Sequence, residues 1–252
     1  MKTVASGEPH PLSVLFIGNS YTFFNRMPEM LEALARGSKG PTVRASQHTI
    51  GGCSLSRHWR RTGARTAIRR GRWDRIVLQD HSLMPIHDPE CLSDYAERFG
   101  ERIQAAGAQA VLYLTWARQY APATQRHITQ AYLSAAARCK ADVAPVGEAW
   151  KRAFAARKGL VLHTDDKSHP NPAGSYLAAC VFFATLLGRS PEGLPGRLLS
   201  AKKNAKGRRD VLTNLSRSDA AFFQRVAWRT VRQLTDRSDR RGNRIARGVK
   251  GR

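Results

Sequence analysis

Short β-rich apolar runs recur at 14–17, 43–48, 75–79, 110–115 and 143–146, separated by longer segments of helical period. That alternation predicts βαβ units around a parallel sheet, hence an α/β fold with five strands. Leu92, Tyr95, Ala96, Phe99 and Ile103 repeat at three and four and predict a sheet-packing helix from near Ser93, closed by Gly107. Ile128, Ala131, Tyr132 and Ala135 repeat the spacing in a segment entered by Pro122. Asn171-Pro172 supplies a cap and a first-turn proline before a helix through 176–187. A last helix is expected from Asp219, capped by Ser218 or Ser216, with Ala220, Phe223, Val226, Ala227, Thr230 and Val231 as its apolar stripe. Beyond Thr235 the chain has no hydrophobic period and is rich in Arg and Gly. The expectation is one domain over 1–235 and a disordered basic tail over 236–252.

Composition changes this picture in one respect. With 42% apolar and 24% charged residues over 252 positions the chain can bury a core, but its net charge is +23. Residues 201–252 hold sixteen Lys or Arg against four Asp, about half of that excess. The chain's end is therefore suited to nucleic acid, anionic lipid or an acidic polymer, with solubility as the plainer account. Cys53, Cys91, Cys139 and Cys180 are scattered and form no C-x-x-C pair, which points to buried thiols rather than a zinc site or disulfide scaffold. The first residues lack the apolar core of a signal peptide, and the longest apolar run, 177–187, is too short to span a bilayer. A cytoplasmic protein without a membrane span is expected; oligomeric state is open.

The first strand runs into Gly18-Asn19-Ser20, which places Ser20 at the carboxyl edge of the sheet, where open α/β sheets bind ligands. A helix begun around Pro28 would aim its amides at developing negative charge. Late in the chain, Asp166-Lys167-Ser168-His169 precedes Pro170-Asn171-Pro172, a stiffened loop suited to holding a base. A serine hydroxyl needs an imidazole to take its proton, and the imidazole needs a carboxylate to fix its tautomer.

These blocks, with Gly51-Gly52-Cys53-Ser54-Leu55 between them, resemble the SGNH (GDSL-like) hydrolase superfamily. The strings LFIGNSYT, WDRIVLQDHSLMP and DDKSHPNPAGSYLAA resemble a bacterial branch of unassigned substrate, over about residues 12 to 190. The resemblance implies a three-layer α/β/α, flavodoxin-like fold. It implies Ser20 as nucleophile, His169 as general base then acid, and Asp166 as the orienting carboxylate, with Asp165 the fallback. It further implies an oxyanion hole from the amides of Ser20 and of Gly52 or Gly51. The family's third block carries Asn, whereas here the strand ends in Gln79-Asp80-His81-Ser82; the Gln79 side chain is expected as third donor, with Ser82 competing. The implied reaction is acyl transfer without metal or cofactor, on a small acyl ester, with acetyl on a carbohydrate favoured.

His48, His58 and His81 lie near these blocks and are not assigned. Trp59, Trp73, Trp116 and Trp150 read as packing before sugar platforms; Trp116, following the fourth strand, is the expected substrate contact, with Arg118 and Gln119 beside it. The alternative is a hydrolase-like scaffold that binds polyanions through its basic tail.

Overall fold

In the computed structural model, residues 10–249 are described, with side chains through residue 236. The first half of the chain runs β1 (Leu12–Gly18), α1 (Ser20–Phe23), α2 (Met27–Arg36), β2 (Val43–Thr49), α3 (Leu55–Arg61), α4 (Ala64–Arg70), β3 (Arg75–Leu78), α5 (Met84–His87) and α6 (Pro89–Ala105). It continues through β4 (Gln109–Tyr113), α7 (Gln125–Cys139), β5 (Asp142–Ala144), α8 (Val146–Ala156), α9 (Pro172–Leu187), β6 (Arg197–Lys203), β7 (Arg209–Asn214) and α10 (Arg217–Val249). Strands β1 to β5 form one parallel sheet in the order β2-β1-β3-β4-β5, the flavodoxin-like order. The chain reverses direction across the sheet between β1 and β3, so the loops leaving these two strands diverge and open a crevice at their carboxyl ends.

Three layers follow from the two-residue period of the strands. Val14, Phe16, Val77, Val111 and Tyr113 face a core shared with α2, α8, α9 and α10. Leu15, Ile17, Ile76, Leu78 and Leu112 face the opposite core, against α3, α4, α6 and α7. Because both faces are covered, the central strands read as unbroken apolar runs. Helix α9 is buried around nearly its whole circumference, wedged between the sheet, α2, α8 and α10.

The elements depart from the sequence pattern where polar signals set the boundary. Helix α6 begins at Pro89, earlier than its apolar stripe, because the Asp88 side chain accepts from Cys91 N at 3.0 Å and Pro89 fits the first turn. Strand β5 stops at Ala144, and Val146 already opens α8, since Pro145 has no N–H to extend the ladder. The antiparallel β6–β7 hairpin was not anticipated: its Lys- and Arg-rich strands carry little hydrophobic alternation, and it is held against α2 by Arg36 donating to the Leu199 carbonyl at 3.0 Å. Ser216 caps α10 by accepting from Asp219 N at 3.1 Å, and Phe223 and Ala227 dock beside α9. The segment 236–252, set apart above as a basic tail, lies almost entirely outside the described side chains. Among the described residues no helix is long and apolar enough to cross a membrane, and no cluster of His, Cys, Asp or Glu could hold a metal ion.

Candidate active site

At the end of β1 one buried side chain ties three loops together. Asn19 accepts from Tyr21 N at 3.1 Å, capping α1, while its amide nitrogen donates to the carbonyls of Cys53 at 2.9 Å and Asp80 at 3.3 Å. Those carbonyls follow β2 and β3, so the polar cap of a four-residue helix also sets the spacing of its neighbours. Only glycine fits just before it: a Cβ on Gly18 would lie 2.6 Å from Gln79 Oε1 and 2.7 Å from Thr22 Oγ1. Ser20 is therefore delivered at the first position of α1, at the β1/β3 crevice, with its own amide among the unpaired first-turn donors.

Ser20 Oγ lies 2.8 Å from His169 Nε2, and His169 Nδ1 is hydrogen-bonded to Asp166 Oδ2. The imidazole is gripped on two sides, stacked on Phe24 at 4.2 Å and edge-on to Tyr21 at 5.5 Å. Its loop is a tight polar turn. Asp166 Oδ1 accepts from the amides of Ser168 and His169, each at 2.9 Å, and from Thr164 Oγ1 at 2.8 Å. Burial pushes the Asp166 carboxyl up, but the hydrogen bonds from the His169 ring, the two amides and Thr164 outweigh it and hold the group well below the usual carboxylate range. Asp165, the fallback, is exposed and makes no bond to His169.

The glycine turn lies alongside. Ile50 N donates to the Gly18 carbonyl at 3.1 Å, and the chain then turns through Gly51 and Gly52 back to Cys53, whose amide donates to the Ile50 carbonyl at 3.1 Å. Gly52 has φ +63°, which favours glycine, and Gly51 and Gly52 are exposed, their amides donating to no acceptor among the described residues.

Two expectations about the third strand are corrected. Gln79 is fully buried; its Oε1 accepts from Asn19 N at 2.8 Å and Thr22 Oγ1 at 3.0 Å, and its Nε2 donates to the Asp80 carbonyl. With no exposure and both atoms of its side-chain amide engaged within the fold, Gln79 positions Asn19. Ser82 is also buried and accepts from Arg118 at 3.2 Å, turned toward the β4 loop. Among the described residues the two glycine amides and the Ser20 amide have no acceptor within the chain.

Trp116, expected as a substrate contact, is packed within the fold, with an edge in the wall of the cavity beside Arg118. It is 1% exposed, sandwiched between Tyr21 at 4.5 Å and Trp150 at 4.1 Å, and its Nε1 donates to the Ser168 carbonyl at 3.0 Å. No ring face is left for a sugar; the indole braces the His169 loop. Gln119 does the same through its backbone, donating to the Lys167 carbonyl at 2.9 Å. Arg118 donates to Tyr120 OH at 2.8 Å and has no carboxylate partner among the described residues, beside a cavity of about 270 Å³ lined by Ser82, Leu83, Ile86, Trp116 and Tyr120. His58 is fully buried with Nε2 donating to the Gly18 carbonyl at 2.9 Å, and His48 bonds Thr62 at 3.0 Å; both are structural. Trp59 packs edge-on to Phe99 at 5.0 Å and Trp73 donates to the Ala67 carbonyl at 3.0 Å.

Sequence reasoning missed Asp80. It is 1% exposed, its Oδ1 accepts from Leu55 N at 2.9 Å and His81 N at 2.7 Å, and its Oδ2 is buried without a partner. Burial raises its carboxyl to about 6 against those two hydrogen bonds. An acid directly after a buried strand was the only available signal.

A parallel sheet in flavodoxin order with a Ser–His–Asp cluster at its switch point defines the class: an α/β protein with the geometry of a hydrolase. No protein-family model and no curated protein matches the sequence. Among solved structures, the chain is 30% identical to a protein from Slackia heliotrinireducens described as a candidate SGNH hydrolase, with a TM-score of 0.61 over 70% of this chain and 99% of that one. This chain belongs to the SGNH hydrolase superfamily. A DUF4886 family protein from Bacteroides uniformis shares the fold at 20% identity and TM-score 0.68, covering 88% of this chain and 95% of its own. The psychrotrophic esterase EstA from Pseudoalteromonas sp. shares it at 13% identity and TM-score 0.54, over 70% of this chain and 97% of its own.

Proposed function

We propose that this SGNH hydrolase is a serine esterase that cleaves a small acyl ester. The observation that carries the reading is the continuous hydrogen-bond relay from Ser20 Oγ through His169 to Asp166. Asp166 accepts from Nδ1, which leaves Nε2 unprotonated and able to take the Ser20 proton as Oγ attacks the ester carbonyl. Negative charge then grows on the carbonyl oxygen, and the proposed donors to it are the amides of Ser20 and of Gly52 or Gly51. His169, now cationic and stabilised by Asp166, protonates the departing alcohol. Water, deprotonated by the same imidazole, attacks the acyl-enzyme and releases the acid.

A short acyl group is favoured over a lipid chain because the sequence carries no lipid-sized apolar lid. Acetyl on a carbohydrate alcohol is the favoured substrate. The decisive experiment compares hydrolysis of p-nitrophenyl acetate, butyrate and octanoate by wild type and Ser20→Ala. Turnover confined to the wild type and falling with chain length is expected; equal rates in the two proteins, or none in either, would discard the esterase reading.

A further inference from the structure

The charge of the molecule has a second concentration away from its end. Residues 57–75 hold eight Arg and one Asp. Seven of these arginines, between Arg57 and Arg72, are exposed along α3, α4 and the turn after them. None of the seven makes an ion pair with a described carboxylate, and the single acid, Asp74, is occupied in accepting from Ser13 N at 2.7 Å. Like charges at this density repel one another, and among the described residues no carboxylate pairs with them to offset the cost.

The ridge also contains a defined recess. Arg65 and Arg69 from α4, Arg102 from α6, and Thr62 and Thr66 line a cavity of about 300 Å³ with Trp59 at its wall and no acid. Three guanidinium groups around one opening are donors with no carboxylate in the lining, a composition that suits a carboxylate or sulfate. The ridge begins at the catalytic edge: α3 follows the Gly51-Gly52 turn directly, and Asp80 holds its first amide, Leu55 N, at 2.9 Å.

We propose that the α3–α4 ridge binds an acidic polysaccharide, seating one of its anionic groups among Arg65, Arg69 and Arg102 so that an acyl ester further along the polymer reaches Ser20. This rests on the esterase reading for the ester, though not for the binding. Nucleic acid fits less well. The rings that could stack on bases are engaged, Trp59 between Phe99 at 5.0 Å and the Arg65 guanidinium at 5.4 Å, and Trp73 by its bond to Ala67.

The test titrates the full chain, its Ser20→Ala variant and the triple variant Arg65→Gln, Arg69→Gln, Arg102→Gln with polygalacturonate, neutral dextran and polyuridylate, at several salt concentrations. Wild type and Ser20→Ala should bind polygalacturonate alike, increasingly weakly as salt rises, and ignore dextran. The triple variant should bind about tenfold more weakly or worse, with a shallower salt dependence. Its thermal midpoint should be at or above that of the wild type, since like charges have been removed, which shows that the loss is not unfolding. Undiminished binding by the triple variant, or no binding by the wild type, overturns the site. Tighter binding of polyuridylate at matched charge overturns the polysaccharide. Failure of the esterase reading would appear instead as Ser20-independent turnover with this binding intact.

Discussion

At the scale of single residues, buried polar groups decide the site. Gln79 gives its carbonyl to Asn19 N and Thr22 Oγ1, so Gln79→Leu strands two buried donors at about 1–3 kcal/mol each. A loss of about 2–6 kcal/mol in urea denaturation is expected. Asp80 makes a different prediction, on pH. Its carboxyl titrates near 6 when folded and near 3.9 when unfolded, so between those values the folded chain holds a proton that the unfolded chain has released. Stability therefore falls as pH rises through this window, by on the order of 3 kcal/mol, and the cost is fully present above it. Asp80→Asn should flatten that part of the urea-midpoint profile against pH. Asp166 has the opposite sign: its depressed carboxyl contributes stability above the ordinary carboxylate range, which is lost in acid as pH falls through the folded value. Asp166→Asn should lower kcat by about 10⁴-fold by holding the imidazole in the wrong tautomer, with the proton on Nε2.

At the scale of elements, the loop carrying His169 has almost no regular structure of its own and is held by its neighbours. Trp116 from the β4 loop donates to Ser168, Gln119 to Lys167, and Asn25 from the turn after α1 donates to the Pro170 carbonyl at 2.8 Å. Trp116→Phe keeps much of the stack between Tyr21 and Trp150 and removes the bond to Ser168. It should cost about 1–3 kcal/mol of stability and lower kcat with little change in KM, because the imidazole is displaced while the ester-binding surface is not. A large fall in affinity without a fall in kcat would return Trp116 to the substrate.

At the scale of the whole molecule, charge is the unusual quantity. The segments 57–75 and 201–252 together account for +19 of the net +23, leaving the other residues near balance. The described Lys and Arg side chains of both segments are exposed or half-buried, so the cores on the two faces of the sheet are untouched by that charge. The self-repulsion is long-range and screened by salt, which shortens the Debye length from about 30 Å at 0.01 M to about 10 Å at 0.1 M. Raising ionic strength across that range should raise the thermal midpoint; an unchanged or falling midpoint would mean that the clusters are already neutralised by contacts within the chain.

The five-stranded parallel sheet was legible because burial on both faces leaves an apolar run in each strand, and the boundaries of α9 and α10 because Asn171, Pro172 and Ser216 act locally. Ser20, Asp166 and His169 stood out by their place at element ends, since residues beside a turn signal are visible without neighbours. The β6–β7 hairpin and the early start of α6 were hidden by polar residues that carry no hydrophobic period. What only tertiary contact decided is which polar groups are already spoken for. Gln79, Ser82 and Trp116 lie at the correct edge of the sheet, but each meets a partner 36 to 60 residues away in the chain and is buried by it. The ridge of arginines is plain in the string of residues, yet that α6 brings Arg102 to it, and that no acid does so, depends on packing between distant helices. Local pattern determines where a group emerges from the fold; satisfaction of its hydrogen bonds and charge is a property of the surroundings, and those exist only once the chain is folded.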